Sequence, residues 1–242
     1  MSIVNEMNMA SMAEPITRRV LDHGLVRLVD HMGNDLSIVR SARVSYDAEW
    51  RTGEDAGKDA KLINYLIKNR HTSPLECVNF TFEVKAPIFV FRQWHRHRTW
   101  SYNEVSARYS ELPEEFYIPK PEHVGVQSSS NKQMRILAEN AGITQLDLFF
   151  IEDLQRHSQE GFALYRKHLE AGVPRELARC LLGLNTYSHM FASVDLLNLF
   201  RFLTLRRHSH AQMEIRVYAE ALLELIEPVV PVAVKAYKEH GL

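Results

Sequence analysis

The densest polar stretch of the chain is RQWHRHRTWSYNEVSARYS, Arg92 to Ser110. It joins Arg92, Arg96, Arg98 and Arg108 to His95, His97, Gln93, Asn103, Ser101 and Ser106, with Glu104 as the one opposing acid. Guanidinium groups are planar, permanently charged and matched to bidentate contact with phosphate or carboxylate. Together with the Trp and Tyr residues between them, they suit an anion joined to a flat heterocycle; a surface that needed only solvation would intersperse Lys and Glu. The alternative is an Arg-rich turn whose charges pair with acids elsewhere in the chain. Further along, Arg175 and Arg179 are four residues apart, the spacing of an anion clamp on one helix face or of a surface pair with Glu176.

Other chemistries compete for the same residues. His95-x-His97 and His208-x-His210 could share a metal if they lay on strands. Their neighbours are Arg, which repels a divalent cation, and carboxylate or Cys ligands are missing, so no metal is expected. Alternating Arg and aromatic side chains could also bind single-stranded nucleic acid by stacking bases. Cys77 precedes an apolar strand, and Cys180 sits on a helix before Leu181 and Leu182, so both are read as small packing residues and not nucleophiles. His71 and Ser73 occupy a turn before Pro74, where turn stabilisation and ligand binding are equally compatible, with Glu76 a lone acid beside them.

The composition narrows these choices. The 242 residues fit one domain, and the formal net charge of −1 gives no global reason to bind nucleic acid or an anionic membrane. Arg nevertheless outnumbers Lys 20 to 9, and no Lys lies between Lys85 and Lys120. An apolar fraction of 45% with 24% charged residues is globular, and no apolar run is long enough for a membrane span. Two cysteines exclude a disulfide framework, and the N-terminus lacks a secretory pattern, so a soluble cytoplasmic protein is expected. Residues 1–20 read as a loosely held start and 21–242 as the domain. No GxGxxG or GxxxxGK[ST] motif occurs, so any nucleotide must be held without a Gly-rich phosphate loop.

The elements that must position these residues follow from periodicity. Leu25 to His31 reads as a strand, and Asn34 as the cap of a helix through Tyr46. A second helix, Asp59 to Asn69, places Leu62, Tyr65 and Leu66 on one face and stops at the turn His71 to Pro74. Phe80, Phe82 and Val84 alternate with polar residues as in a half-buried strand. Pro87 opens a short apolar helix, IFVFRQWHR, that delivers Arg92 to Arg96. Tyr117 to Ser130 reads as a loop. Thr144 to Ala171 reads as a long helix with Leu146, Phe149, Phe150, Leu154, Phe162 and Leu169 as its apolar stripe and Gly172 beyond its end. Pro174 starts another helix, Tyr187 to Val194 is a strand, Asp195 caps a helix through Arg207, and Ala211 to Glu227 is helical until Pro228.

Arg96-His97-Arg98, seven residues and then Ser106 form an RHR-x7-S string. In this the chain resembles the flavin-dependent thymidylate synthases. The segments MGNDLSIVRSARVSY, HTSPLE, FTFEVKAPIFVFRQW, FYIP, GVPRELAR and LRRHSHAQMEIR are similar to that family in the same order. The resemblance implies an α/β (α+β) domain with a small mixed sheet and several long helices, assembled as a homotetramer whose active sites draw on several subunits. It implies an FAD enzyme that methylates dUMP with carbon from 5,10-methylenetetrahydrofolate and electrons from NADPH, without an enzyme cysteine.

Carried over by motif, His71, Ser73, Arg96, His97, Arg98, Glu104, Arg201 and His210 are expected at FAD. Gln93, Arg96, Glu104, Ser106, Arg108, Arg179 and Arg206 are expected at dUMP, with Arg179 reaching in from another subunit. Arg206 is expected to polarise the uracil ring. The chain departs from the family where an Asn-x-Arg pair often precedes the catalytic helix: Asp195 and Leu197 stand there, Asn198 is a possible substitute, and Arg201 could reach a cofactor phosphate or pair with Asp195. His95 replaces an apolar or aromatic residue.

Overall fold

A computed structural model describes residues 16–242. Of the loosely held start, residues 1–15 lie outside the described residues, whereas Thr17–Val20 form strand β1. The chain continues through β2 (Gly24–Met32), α1 (Asp35–Val44), α2 (Ala56–Lys68), β3 (Asn79–Pro87), α3 (Ile88–Trp94) and β4 (Ser101–Glu104). After a long connection come β5 (Val126–Gln127), β6 (Arg135–Ile136), the single turn α4 (Ala138–Ala141) and α5 (Gln145–Glu170). Then follow α6 (Arg175–Ala178), β7 (Tyr187–Asp195), α7 (Leu196–Arg206), α8 (Met213–Ile226) and α9 (Pro231–His240).

The main sheet has the order β1-β2-β3-β7-β4, and every pairing in it is antiparallel where a mixed sheet was expected. Short connections explain the difference at one edge, since β1 and β2 are joined by a turn and not by a helical crossover. The alternation in β3 works as read: Phe80, Phe82, Val84 and Ala86 are buried. The intervening side chains form a polar row, with Thr81 Oγ1 2.9 Å from Ser193 Oγ and Glu83 Oε1 2.7 Å from His189 Nε2. Helices α7 and α8 cover the apolar face with Leu199, Phe200, Phe202, Leu203, Ile215 and Leu222. Gly24 lets α8 approach this closely, because a Cβ there would meet the Tyr218 hydroxyl at 2.0 Å.

Local signals set the element boundaries. Asn34 Oδ1 accepts from Leu36 N at 3.0 Å, and Asp195 Oδ1 accepts from Asn198 N at 2.9 Å. Helix α2 begins before the expected Asp59 because Asp55 caps it, and its buried face is Ile63, Leu66 and Ile67, leaving Tyr65 exposed. The connection from Tyr117 is not wholly irregular, since β5 pairs with β6 as a small hairpin. The helix at Pro174 is a single turn, and Arg179 falls at its end. Helix α9 continues beyond Pro228, where no element was expected.

Helix α5 has the expected length, and Thr144 proves to be its cap, but its packing face differs. Phe162 and Tyr165 are buried in a small second core with Ala178, whereas Leu146, Phe149 and Phe150 at the other end are exposed. Nothing among the described residues covers those three side chains. The cysteine expectation also fails in one respect: Cys77 and Cys180 are both exposed and unbonded to each other. No described helix is long and apolar enough to cross a membrane.

Candidate active site

Helix α3 ends at Trp94, and the chain turns sharply from His95 to Trp100 before entering β4. The aromatics of the string are the base of this turn. Trp94 and Trp100 are 0% and 5% exposed and pack on Phe202 of α7 at 4.8 and 5.1 Å between ring centres. The two tryptophans are therefore unavailable as stacking platforms for bases, which leaves Tyr109 as the one exposed aromatic of the string. The charged members point outward. Arg92, Arg96 and Arg98 are exposed, and among the described residues their guanidinium groups have no hydrogen bond or ion pair. The alternative of a turn neutralised by distant acids holds only for Arg108, 3.4 Å from Glu176, and Arg175, 3.5 Å from Glu111.

Two sequence-distant segments meet at this turn. Arg206, the last residue of α7, donates from Nε to His97 Nε2 at 3.0 Å and from Nη2 to the Gln93 carbonyl at 2.9 Å. The Gln93 side-chain amide donates in turn to Gln212 Oε1, at the start of α8. Burial, reinforced by the Arg206 charge, lowers the His97 pKa to about 4, so the imidazole is neutral near pH 7. Burial also lowers the Arg206 pKa, but an arginine starts so high that it stays charged.

In β4 and at the end of α6, Glu104 Oε1 accepts from Ser188 Oγ at 2.6 Å, and Arg179 donates from Nε to the Glu176 carbonyl at 3.2 Å. Glu104 and Arg179 line one cleft of about 280 Å³ with Ser188 and Leu182. Ser106 forms the following turn, its hydroxyl accepting from Arg108 N at 3.3 Å and its carbonyl from Tyr109 N at 3.0 Å. A larger cleft of about 400 Å³ between β1 and α8 contains none of the expected residues.

The remaining expected residues stand apart. His71 is exposed after α2, its ring edge-on to Tyr65 at 5.6 Å, and Ser73 opens the turn Ser73–Cys77 that packs against α7. His210 lies in a separate cleft of about 440 Å³ with Arg135 and Arg216. Arg201 is exposed and donates to Asn198 Oδ1 at 3.3 Å, not to Asp195. His95 turns away from His97, toward Tyr102 at 4.8 Å and Glu104 Oε2 at 3.9 Å. Among the described residues no group of three or more His, Cys, Asp or Glu is placed to hold a metal.

The family profile described as "Thymidylate synthase complementing protein" matches residues 27–232. The chain belongs to this family. It is 49% identical over 223 residues to a flavin-dependent thymidylate synthase of Treponema denticola, covering 92% of this chain and 82% of the relative. It is 50% identical over 231 residues to a flavin-dependent thymidylate synthase of Thermus thermophilus, covering 96% and 82%. Among solved structures it is similar to the UMP/dUMP methylase PolB of Streptomyces cacaoi bound with 5-Br dUMP, at 34% identity and a TM-score of 0.82, covering 93% of this chain and 98% of that one.

Within the thymidylate synthase complementing protein family, this chain's departure before α7 has a structural meaning. Leu197 is 2% exposed and belongs to the core, so nothing polar is offered from that position. Asp195 is engaged as the helix cap and accepts from Asn198 Nδ2 at 2.6 Å, and Asn198 hands its own oxygen to Arg201. The polar side chains on this part of α7 are thus Asn198 and Arg201, one turn along the helix. Gln212 and Ser188 were not anticipated. Gln212 lies inside the LRRHSHAQMEIR block, but its partner Gln93 is 119 residues away and no local pattern marks the pair.

Proposed function

We propose that this chain is a FAD-dependent thymidylate synthase that methylates dUMP to dTMP, using 5,10-methylenetetrahydrofolate as carbon donor and NADPH as reductant. Family membership supports the activity. The observation that carries it in this chain is Arg206, held by two acceptors with three of its five N–H donors uncommitted beside Gln93. Those donors stabilise negative charge as it develops on the uracil ring, which makes C5 nucleophilic. Gln93 orients the base, and Glu104, Ser106, Arg108 and Arg179 surround the nucleotide. Arg96 serves dUMP and flavin together.

The residues present fit FAD. Arg96 and Arg98 carry exposed charge with no acid of the described chain against them, the state a pyrophosphate would neutralise. His71, Ser73, His97, Glu104, Arg201 and His210 complete the proposed flavin contacts, with Arg201 and Asn198 replacing the family's Asn-x-Arg. Bound FAD, reduced by NADPH, supplies the hydride. His210 lines a different cleft from Glu104 and Arg179, and the exposed Leu146, Phe149 and Phe150 offer an apolar face on α5; both support a homotetramer with active sites completed across subunits, in the cytoplasm.

The purified protein is expected to be yellow, and dUMP to perturb its flavin absorbance saturably and without the steep salt dependence of an oligonucleotide. A colourless protein whose added FAD shows no response to dUMP would refute the assignment. Cys77→Ala and Cys180→Ala are each expected to keep turnover within about twofold, because neither thiol bonds to the Arg206 cluster: Cys77 Sγ meets Ser41 Oγ, and Cys180, on the rim of the Glu104 and Arg179 cleft, has only the Glu176 carbonyl at 4.0 Å. A folded, flavin-loaded but inactive variant in a turnover assay would require a thiol in the mechanism.

A further inference from the structure

We propose that His97 is the positioning residue for Arg206: its Nε2 lone pair fixes the guanidinium in the orientation used on the substrate. This inference rests on the thymidylate synthase reading and adds a role that flavin contact alone does not supply. A terminal arginine on a helix is normally a mobile side chain with many rotamers. Here two acceptors remove that freedom. One is the Gln93 carbonyl, left without a helical partner in the last turn of α3. The other is the His97 ring, and only a neutral ring with its proton on Nδ1 leaves Nε2 free to accept.

The imidazole is itself held rigidly. Its ring packs edge-on to Phe202 at 4.7 Å, and Phe202 is four residues before Arg206 on α7. The His97 amide donates to the Trp94 carbonyl at 2.9 Å, and the Tyr102 hydroxyl lies 2.9 Å from the His97 carbonyl. Backbone and ring are thus both anchored before any ligand arrives, as preorganised stabilisation of developing charge requires. The same tautomer leaves Nδ1–H as the ring's one donor, so His97 is able to face a flavin with that atom while serving Arg206 with the other.

The test compares His97→Leu, His97→Gln, Arg206→Lys and the His97→Leu/Arg206→Lys double variant. His97→Leu should retain FAD and bind dUMP within about threefold, yet lose about a hundredfold in kcat, the scale of a misplaced catalytic group. His97→Gln, which restores a side-chain oxygen as acceptor, should recover at least about tenfold of this. Adding His97→Leu to Arg206→Lys should cost under about threefold, because groups that act as a unit are non-additive. Additive losses, no recovery by Gln, or loss of flavin from both His97 variants would overturn the proposal. Independently of turnover, ring ¹⁵N shifts of His97 in the wild-type protein should report a protonated Nδ1 and change in Arg206→Ala; unchanged shifts would also overturn it. A wild-type protein that fails to methylate dUMP while these shifts behave as expected would instead refute the assigned reaction.

Discussion

Arg206→Ala is expected to lower kcat for dUMP methylation by about a thousandfold while the variant stays folded and flavin-loaded. The half-buried side chain sits at the C-terminal end of α7, outside the hydrophobic core, and its two hydrogen bonds go to an imidazole and to a helix-terminal carbonyl. Removing it leaves both of those acceptors half-buried and within reach of solvent, where water replaces the guanidinium at little cost in stability. What is lost is positive charge placed where negative charge develops, and an interaction made mainly in the transition state appears in kcat and not in KM. Steady-state kinetics with the flavin spectrum as a control decides this. A variant with unchanged kcat and raised KM would make Arg206 a binding residue only.

The second large effect concerns stability. Arg135→Ala is expected to cost about 3–5 kcal/mol, the range for removing one partner of a buried ion pair. Arg135 Nη2 donates to Glu214 Oε1 at 2.6 Å, and the Glu214 side chain is only 2% exposed. The other group on that oxygen is the Tyr117 hydroxyl at 3.1 Å, whose own pKa is raised by burial and by the Glu214 charge. Without Arg135 the carboxylate would be buried with one neutral donor, and the β5–β6 hairpin would lose its ionic tie to α8. At about 2–4 °C per kcal/mol for a chain of this size, Tm should fall by roughly 6–20 °C. Cleavage by a protease should concentrate between residues 124 and 137. Adding Glu214→Gln should recover part of the loss, because the uncompensated charge is then gone; a Tm shift under about 3 °C for Arg135→Ala would contradict this account.

The parts of the molecule that were legible in the sequence are those written in local patterns. The period-2 run of β3, the Asn34 and Asp195 caps, and Pro87 before α3 each report a constraint acting within a few residues, and each holds. Helix α5 shows where that logic stops. Leu146, Phe149 and Phe150 repeat at helical spacing, yet they are exposed, since periodicity says that a face is apolar and not what lies against it. The candidate site was legible in its residue types and motif blocks. Its connections were not: Arg206 meets His97 across 109 residues, and Gln212 meets Gln93 through a side-chain contact that no spacing rule anticipates. The cysteines were misplaced for a related reason, since a small apolar side chain beside leucines is equally at home on the rim of a cleft, where Cys180 lies.

Helix α7 ties the interior of the protein to its chemistry. Phe202 is fully buried among Trp94, Trp100 and His97, one turn from the Arg206 guanidinium proposed to meet the substrate. A change of volume at this position would move the tryptophan base and the imidazole together, so ordinary drift among apolar residues, which most cores absorb, is closed to it. Substitutions made for thermal robustness therefore belong elsewhere, on the exposed face of α9, which is remote from this packing.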